Sequence, residues 1–191
     1  MAQQGPNPIE LYEAACKTML PIMGGVSEGN LTSNTPCSDW NTQSVINHAI
    51  AVQHFANNVL SGTAVDPSTM SDVAHPLPPE GALAALKAIT DTTLATIKSI
   101  DLEKTVETPF GAMPGKNFIM IPIADMVIHK WDLAKATGQD TSIDSGLAEV
   151  CLQALQGALS RGRGANFADE VSVPGTASAQ DRLIAFSGRT P

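Results

Sequence analysis

Cysteine, histidine and basic charge are the scarce commodities of this chain. Its 191 residues hold three cysteines, four histidines and eleven Lys+Arg against nineteen Asp+Glu, for a formal net charge of −8. So acidic a chain repels phosphates, and its few cations are scattered apart from the short Arg161-Gly162-Arg163 run, which excludes nucleic-acid binding by general electrostatics. Cys16, Cys37 and Cys151 are odd in number and lack C-x-x-C spacing. That argues against a disulfide framework or a Cys-rich zinc site, and for reduced thiols in a cytoplasm. Long hydrophobic runs are missing too: the most apolar stretch, residues 118–128, contains Pro122 and Asp125 and falls far short of the ~20 residues a membrane span needs. The opening Met1-Ala2-Gln3-Gln4-Gly5-Pro6 has neither the basic nor the apolar region of a signal peptide. No fixed-period repeat, low-complexity tract or charge block is present. Nor is there a Gly-x-Ser-x-Gly elbow, a Gly-x-x-x-x-Gly-Lys phosphate loop or a Gly-x-Gly-x-x-Gly turn after a strand. The glycines around Arg163, Gly162 and Gly164, read as a loop. The expectation is a soluble cytoplasmic protein with neither nucleic acid nor membrane as partner.

What the chain does have is 43% hydrophobic residues, enough for a substantial core. Helical spacing dominates. A first helix opens after Pro8, carries Ile9, Leu11, Ala14, Ala15, Met19 and Ile22 inward, and ends near Gly24-Gly25. After a turn-rich stretch, Asn41 or Thr42 caps a second helix whose apolar face is Val45, Ile46, Ala49, Val52, Phe55, Ala56 and Val59, ended by Gly62. A Pro-rich linker, residues 67–79, leads to a third helix with Leu83, Leu86, Ile89, Thr93, Leu94 and Ile97 inward. Residues 104–116 predict a short strand pair or extended crossover. A fourth helix starts near Asn117 or Pro122 and stops at Gly138. A fifth covers roughly residues 145–160, and a short last one lies near 179–186. No linker divides these segments, so the expected architecture is all-α: one domain over residues 1–191, a four-helix bundle with long crossovers and a short extended segment.

Four histidines are few enough to weigh singly. His75 falls in the Pro-rich linker, exposed. On the second helix His48 falls on the inward face and His54 on the opposite one. On the fourth, Asp125, His129 and Asp132 follow at i, i+4 and i+7, one face of an otherwise apolar helix. An ionisable group turned toward a core needs a partner. One answer is a metal held between the two helices, two histidines and a carboxylate leaving positions open for water or substrate. The other is a hydrogen-bonded core histidine with an intrahelical Asp125–His129 contact. Cys37 is more readily a buried structural cysteine than a reactive thiol, and Trp40 and Trp131 are core or pocket-wall residues.

Three segments carry a resemblance. Thr35-Pro36-Cys37-Ser38-Asp39-Trp40 with Val45-Ile46-Asn47-His48, then Asp125 through Trp131-Asp132-Leu133 to Thr137-Gly138, then Val173-Pro174 through Asp181-Arg182-Leu183 to Gly188-Arg189, occur in order along most of the chain. Together they resemble the DinB-like superfamily, in its actinobacterial branch related to the metal-binding domain of mycothiol-dependent maleylpyruvate isomerase. The resemblance implies a DinB-like bundle with a divalent metal held at one end by His48, Asp125 and His129, zinc first and nickel or iron as other candidates. Asp132 would either support the ligands from behind or serve the fold, without ligating. The isomerase resembled has a Glu where the shorter Asp125 stands and a further C-terminal domain that 191 residues cannot hold, so its reaction does not carry over. The implied chemistry is a thiol-dependent transferase or isomerase, with mycothiol as co-substrate and a small electrophile as second partner. A non-haem iron oxygenase-like enzyme and a non-catalytic ligand-binding bundle are the alternatives. A homodimer paired through helix faces is a further expectation.

Overall fold

Asn7 starts the first helix: its side chain accepts a hydrogen bond from the Ile9 amide at 3.0 Å, and Pro8 fills the first helical position, where no amide donor is needed. The computed structural model describes residues 7–160, 162–163 and 167–191; Arg161, Gly164 and residues 1–6, noted above, lie outside the described residues. Helix α1 spans Pro8–Gly24 and α2 Thr42–Leu60, the latter capped by Asn41, which accepts from the Ser44 amide at 2.9 Å. The linker contains a single 3-10 turn, Pro67–Met70, and leads into α3, Ala82–Ser99. Two-residue strands β1 (Thr105–Val106) and β2 (Met113–Pro114) then pair antiparallel, Thr105 opposite Pro114. A one-turn helix α4 (Gly115–Phe118) precedes α5 (Met120–Thr137), which Gly138 ends in the left-handed region at φ 69°. Helix α6 (Ser145–Ala158) and the short α7 (Ala179–Phe186) complete the fold, capped by Asp144 and Ser178.

Helices α1, α2, α3 and α5 form the bundle: α1 packs on α3 and α5, and α2 packs on the same two from the other side. Helix α6 covers the outer side of α5, and α7 lies on α6. This explains the composition of α5. Flanked by α1, α2 and α6, it buries every residue from Met126 to Ala134, so it has no solvent stripe and its sequence shows no polar face. Each large aliphatic side chain sealed there contributes about 1.5–3 kcal/mol, which offsets the burial of the ionisable groups on the same helix.

The fold is the expected all-α bundle with its short extended segment, and most boundaries agree with the sequence pattern. Three details differ. Both expected starts of the fourth helix are helical, but they fall in separate pieces: Asn117 lies in α4, and Pro122 sits in the first turn of α5, where its missing donor costs nothing. Helix α6 stops at Ala158, short of residue 160. Leu83, expected inward, is 42% exposed, because it belongs to the first turn of α3 and lies beside Gly24 at the end of α1. Among the described residues no helix is long and apolar enough to cross a membrane.

Candidate metal centre

The spacing of α2 and α5 brings three of the singled-out residues together. His48 Nε2 stands 3.2 Å from Asp125 Oδ1, and His129 Nε2 stands 3.5 Å from the same oxygen. One donor atom from each of the three lies within 4.8 Å of the others. His129 is buried, whereas His48 and Asp125 keep partial access to solvent, so the cluster has a closed side and an open one. His54 and His75 are exposed, as expected from their positions.

The outer nitrogens of the two rings are fixed by acceptors. His48 Nδ1 donates to the Met70 carbonyl at 2.6 Å, and His129 Nδ1 donates to Asp132 Oδ2 at 2.9 Å. A carbonyl and an ionised carboxylate can only accept, so each Nδ1 carries its hydrogen and both Nε2 atoms are directed at Asp125. Two imidazole lone pairs and a carboxylate oxygen facing one small volume repel one another unless a cation, either a proton or a metal, sits among them. Asp125 Oδ2 is buried and, among the described residues, has no hydrogen-bond partner, an acceptor left over on the side of the cluster. This donor set suits a divalent transition metal: neutral imidazoles and a carboxylate oxygen are the ligands of zinc and non-haem iron.

Asp132 is wholly buried and takes a second partner. Arg189, almost at the end of the chain, donates from Nη2 to Asp132 Oδ2 at 3.0 Å, while its Nη1 donates to the Ser187 carbonyl at 2.8 Å. Gly188, at φ 87°, makes the turn that brings Arg189 back under α5; a Cβ there would lie 3.0 Å from the Ala168 carbonyl oxygen. Burial pushes the Asp132 carboxyl up, but the His129 hydrogen bond and the Arg189 guanidinium outweigh it and hold it below the ordinary carboxylate value. For Asp125 too, burial is outweighed, here by His48 and His129, and its pKa is lowered. Burial pulls the His48 imidazole down, yet Asp125 and the Met70 carbonyl raise it above the ordinary histidine value.

The wall of the site comes from the Thr35–Trp40 segment. Thr35 Oγ1 donates to the Trp40 carbonyl at 2.7 Å and the Trp40 amide donates to the Cys37 carbonyl at 2.9 Å, closing a tight loop that presents the indole. Its ring centroid lies 4.5 Å from that of His48 and 5.8 Å from that of His129, so Trp40 is pocket wall, and Trp131, a buried residue of α5, is core. The Cys37 thiol is half-buried and pushed up to about 11, chiefly by burial, so it is no thiolate at neutral pH. Two contributors had no role in the sequence reading. Arg189 closed one of the quoted segments without a function, and the Met70 carbonyl has no sequence signature, since any residue supplies one. A groove of about 940 Å³ between the C-terminal ends of α2 and α3 and strand β1 opens about three turns along α2 from His48 and lacks these groups.

The chain matches the family described as mycothiol maleylpyruvate isomerase N-terminal domain over residues 12–134. It belongs to that family. Two uncharacterized proteins of Mycobacterium tuberculosis, from strains CDC 1551 and H37Rv, are each 32% identical over 188 residues, covering 96% of this chain and 98% of theirs. In three dimensions the family member resembles a mycothiol-dependent maleylpyruvate isomerase with a TM-score of 0.68 at 16% identity, over 89% of this chain and 77% of that one. A DinB-like protein of Bacillus subtilis superposes with a TM-score of 0.53 at 11% identity, over 72% of this chain and 94% of the other. At such identities these likenesses establish the DinB-like fold. The match ends at Ala134 and so includes His48, Asp125, His129 and Asp132, while Arg189 lies beyond it.

Proposed function

We propose that His48, Asp125 and His129 hold a divalent metal, zinc first, and that the chain uses it with a small thiol of the mycothiol type to modify a small electrophile, as a thiol-dependent transferase or isomerase. The observation that carries the metal is the convergence of two Nε2 atoms on one carboxylate oxygen, with both Nδ1 atoms already committed to acceptors. The thiol rests on the family: the isomerase whose fold this chain shares is mycothiol-dependent. When bound, a metal of this kind lowers the pKa of a coordinated thiol or water and supplies a nucleophile at neutral pH.

The chain's own residues do the rest. Asp132, anchored by Arg189, holds the His129 ring in one orientation, and the Met70 carbonyl holds that of His48. Trp40 screens the rings from water on one side and leaves the partly open side, where His48 and Asp125 are accessible, for a substrate. Cys37, protonated, leaves the nucleophile's part to an added thiol. The test is a thiol-adduct assay on zinc-loaded protein with mycothiol and model electrophiles. A rate lost on chelation and restored by zinc supports the transferase; equal rates with and without metal remove it. The same two-histidine, one-carboxylate set also serves non-haem iron(II) oxygenases, and iron content with oxygen-dependent turnover would decide for that chemistry instead.

A further inference from the structure

The two histidines of the centre are oriented by partners of very different kind. Behind His129 stands a buried carboxylate–guanidinium pair inside the core. Behind His48 stands a main-chain carbonyl in the loop between α2 and α3. That loop is seated on α2 by few groups. Gln43 Nε2 donates to the His75 carbonyl at 2.8 Å, and the Asn47 side-chain amide donates to the carbonyls of Val73 at 3.0 Å and His75 at 2.7 Å. Residues 43, 47 and 48 lie on one side of α2, so the helix grips the loop at three carbonyls, those of His75, Val73 and Met70. Val73 is buried between these points and Met70 packs against the core, while Ser71, Asp72, Ala74 and His75 are exposed, so two side chains and these hydrogen bonds hold the segment down. Asn47 is itself 2% exposed, and its Oδ1 has no hydrogen-bond partner among the described residues. Burying half an amide unsatisfied costs stability, which an apolar residue would avoid; what Asn47 supplies in return is its grip on two carbonyls.

We propose that residues 70–75 form a strap that positions the His48 ring through the Met70 carbonyl, with Gln43 and Asn47 as the positioning residues that hold the strap, so that loosening it releases His48 and leaves a two-ligand centre. The strap belongs to the low-stability part of the fold, tied by a handful of hydrogen bonds over exposed backbone, whereas the His129 side is sealed. Entry and release of a cation therefore run through His48. This inference rests on the reading of His48, Asp125 and His129 as a metal centre.

The experiment compares wild type, Gln43→Ala, Asn47→Ala and the surface control Lys87→Ala. Zinc affinity is read by competition with a chromophoric chelator, cobalt(II) absorption reports ligand geometry, and ¹⁵N NMR of the His48 ring at alkaline pH reports which nitrogen carries the hydrogen. Loss of a partner that orients a ligand weakens metal binding about 10–100-fold. Both strap variants are expected to bind zinc that much more weakly, with an altered cobalt spectrum, a mixed His48 tautomer and helical circular dichroism unchanged. Gln43 is only half-buried, so its variant keeps the test valid if Asn47→Ala folds poorly. Wild-type affinity and an unchanged tautomer in a folded Gln43→Ala and Asn47→Ala would overturn the strap. Wild-type protein that binds no zinc would instead overturn the metal centre; the tautomer would then decide the strap alone, a pure Nδ1–H form in both variants counting against it.

Discussion

Asp132 is where the residue scale bears most on function. It is fully buried, it receives both the His129 ring and the Arg189 guanidinium, and among the described residues no other carboxylate forms an ion pair with that arginine. Removing one member of a buried ion pair leaves the other uncompensated, at a cost of about 3–5 kcal/mol. Asp132→Ala should therefore lose stability of that order in urea denaturation. Asp132→Asn, which keeps shape and an acceptor, should fold but bind metal more weakly; equal affinity for wild type and Asn would mean that the carboxylate does not serve the centre. The pH dependence follows from the same groups. His48 is raised, so in metal-free protein its contribution to stability is present below the unfolded value of about 6.5 and is lost as pH rises through the folded one. Asp125 and Asp132 are lowered, so theirs is present above about 3.9 and is lost as pH falls through their folded values. Metal-free protein should be most stable between about pH 4 and 6.5. Added zinc should shift the optimum upward, because the proton on His48 competes with the metal. Melting temperatures against pH with and without zinc check this, and coincident curves would contradict it.

At the scale of elements, sequence patterning places the four bundle helices and α7 well, because caps and stops such as Asn41 and Gly138 act locally. It also places His48, Asp125 and His129, since spacing on α2 and α5 decides which way they face. It misses what depends on chain return. Arg189 reaches Asp132 across 57 residues, and no periodicity carries information over that distance once α7 has ended. The strap escapes for a related reason: its contacts are main-chain carbonyls, which every residue has. Leu83 was misplaced because a helical face does not say where the neighbouring helix ends. The turn at Gly188 offers an element-level test. A Cβ there meets both a left-handed backbone and the Ala168 main chain, so Gly188→Ala must displace the tail that carries Arg189. It should lower both the melting temperature and zinc affinity, whereas Gly138→Ala, with open space around its Cβ, should lower the melting temperature alone.

For the whole molecule, the proposed centre draws on two sides of the bundle that are held by different contacts. Helix α5, surrounded by α1, α2 and α6, holds Asp125 and His129 in fixed register, and α7 with the C-terminal residues braces it through Arg189. Helix α2 brings His48 from the opposite side, steadied by the loop that follows it. The scarcity of histidine noted at the outset gains its meaning here: two of the four meet at one carboxylate, and the other two are exposed. Everything proposed for this protein passes through that meeting point. The most direct measurement is the zinc content of protein purified from zinc-supplemented cells, by elemental analysis, for wild type and His129→Ala side by side. One zinc per wild-type chain, lost in a folded His129→Ala, is the predicted result; protein that is metal-free in both, or equally loaded in both, would contradict the metal centre.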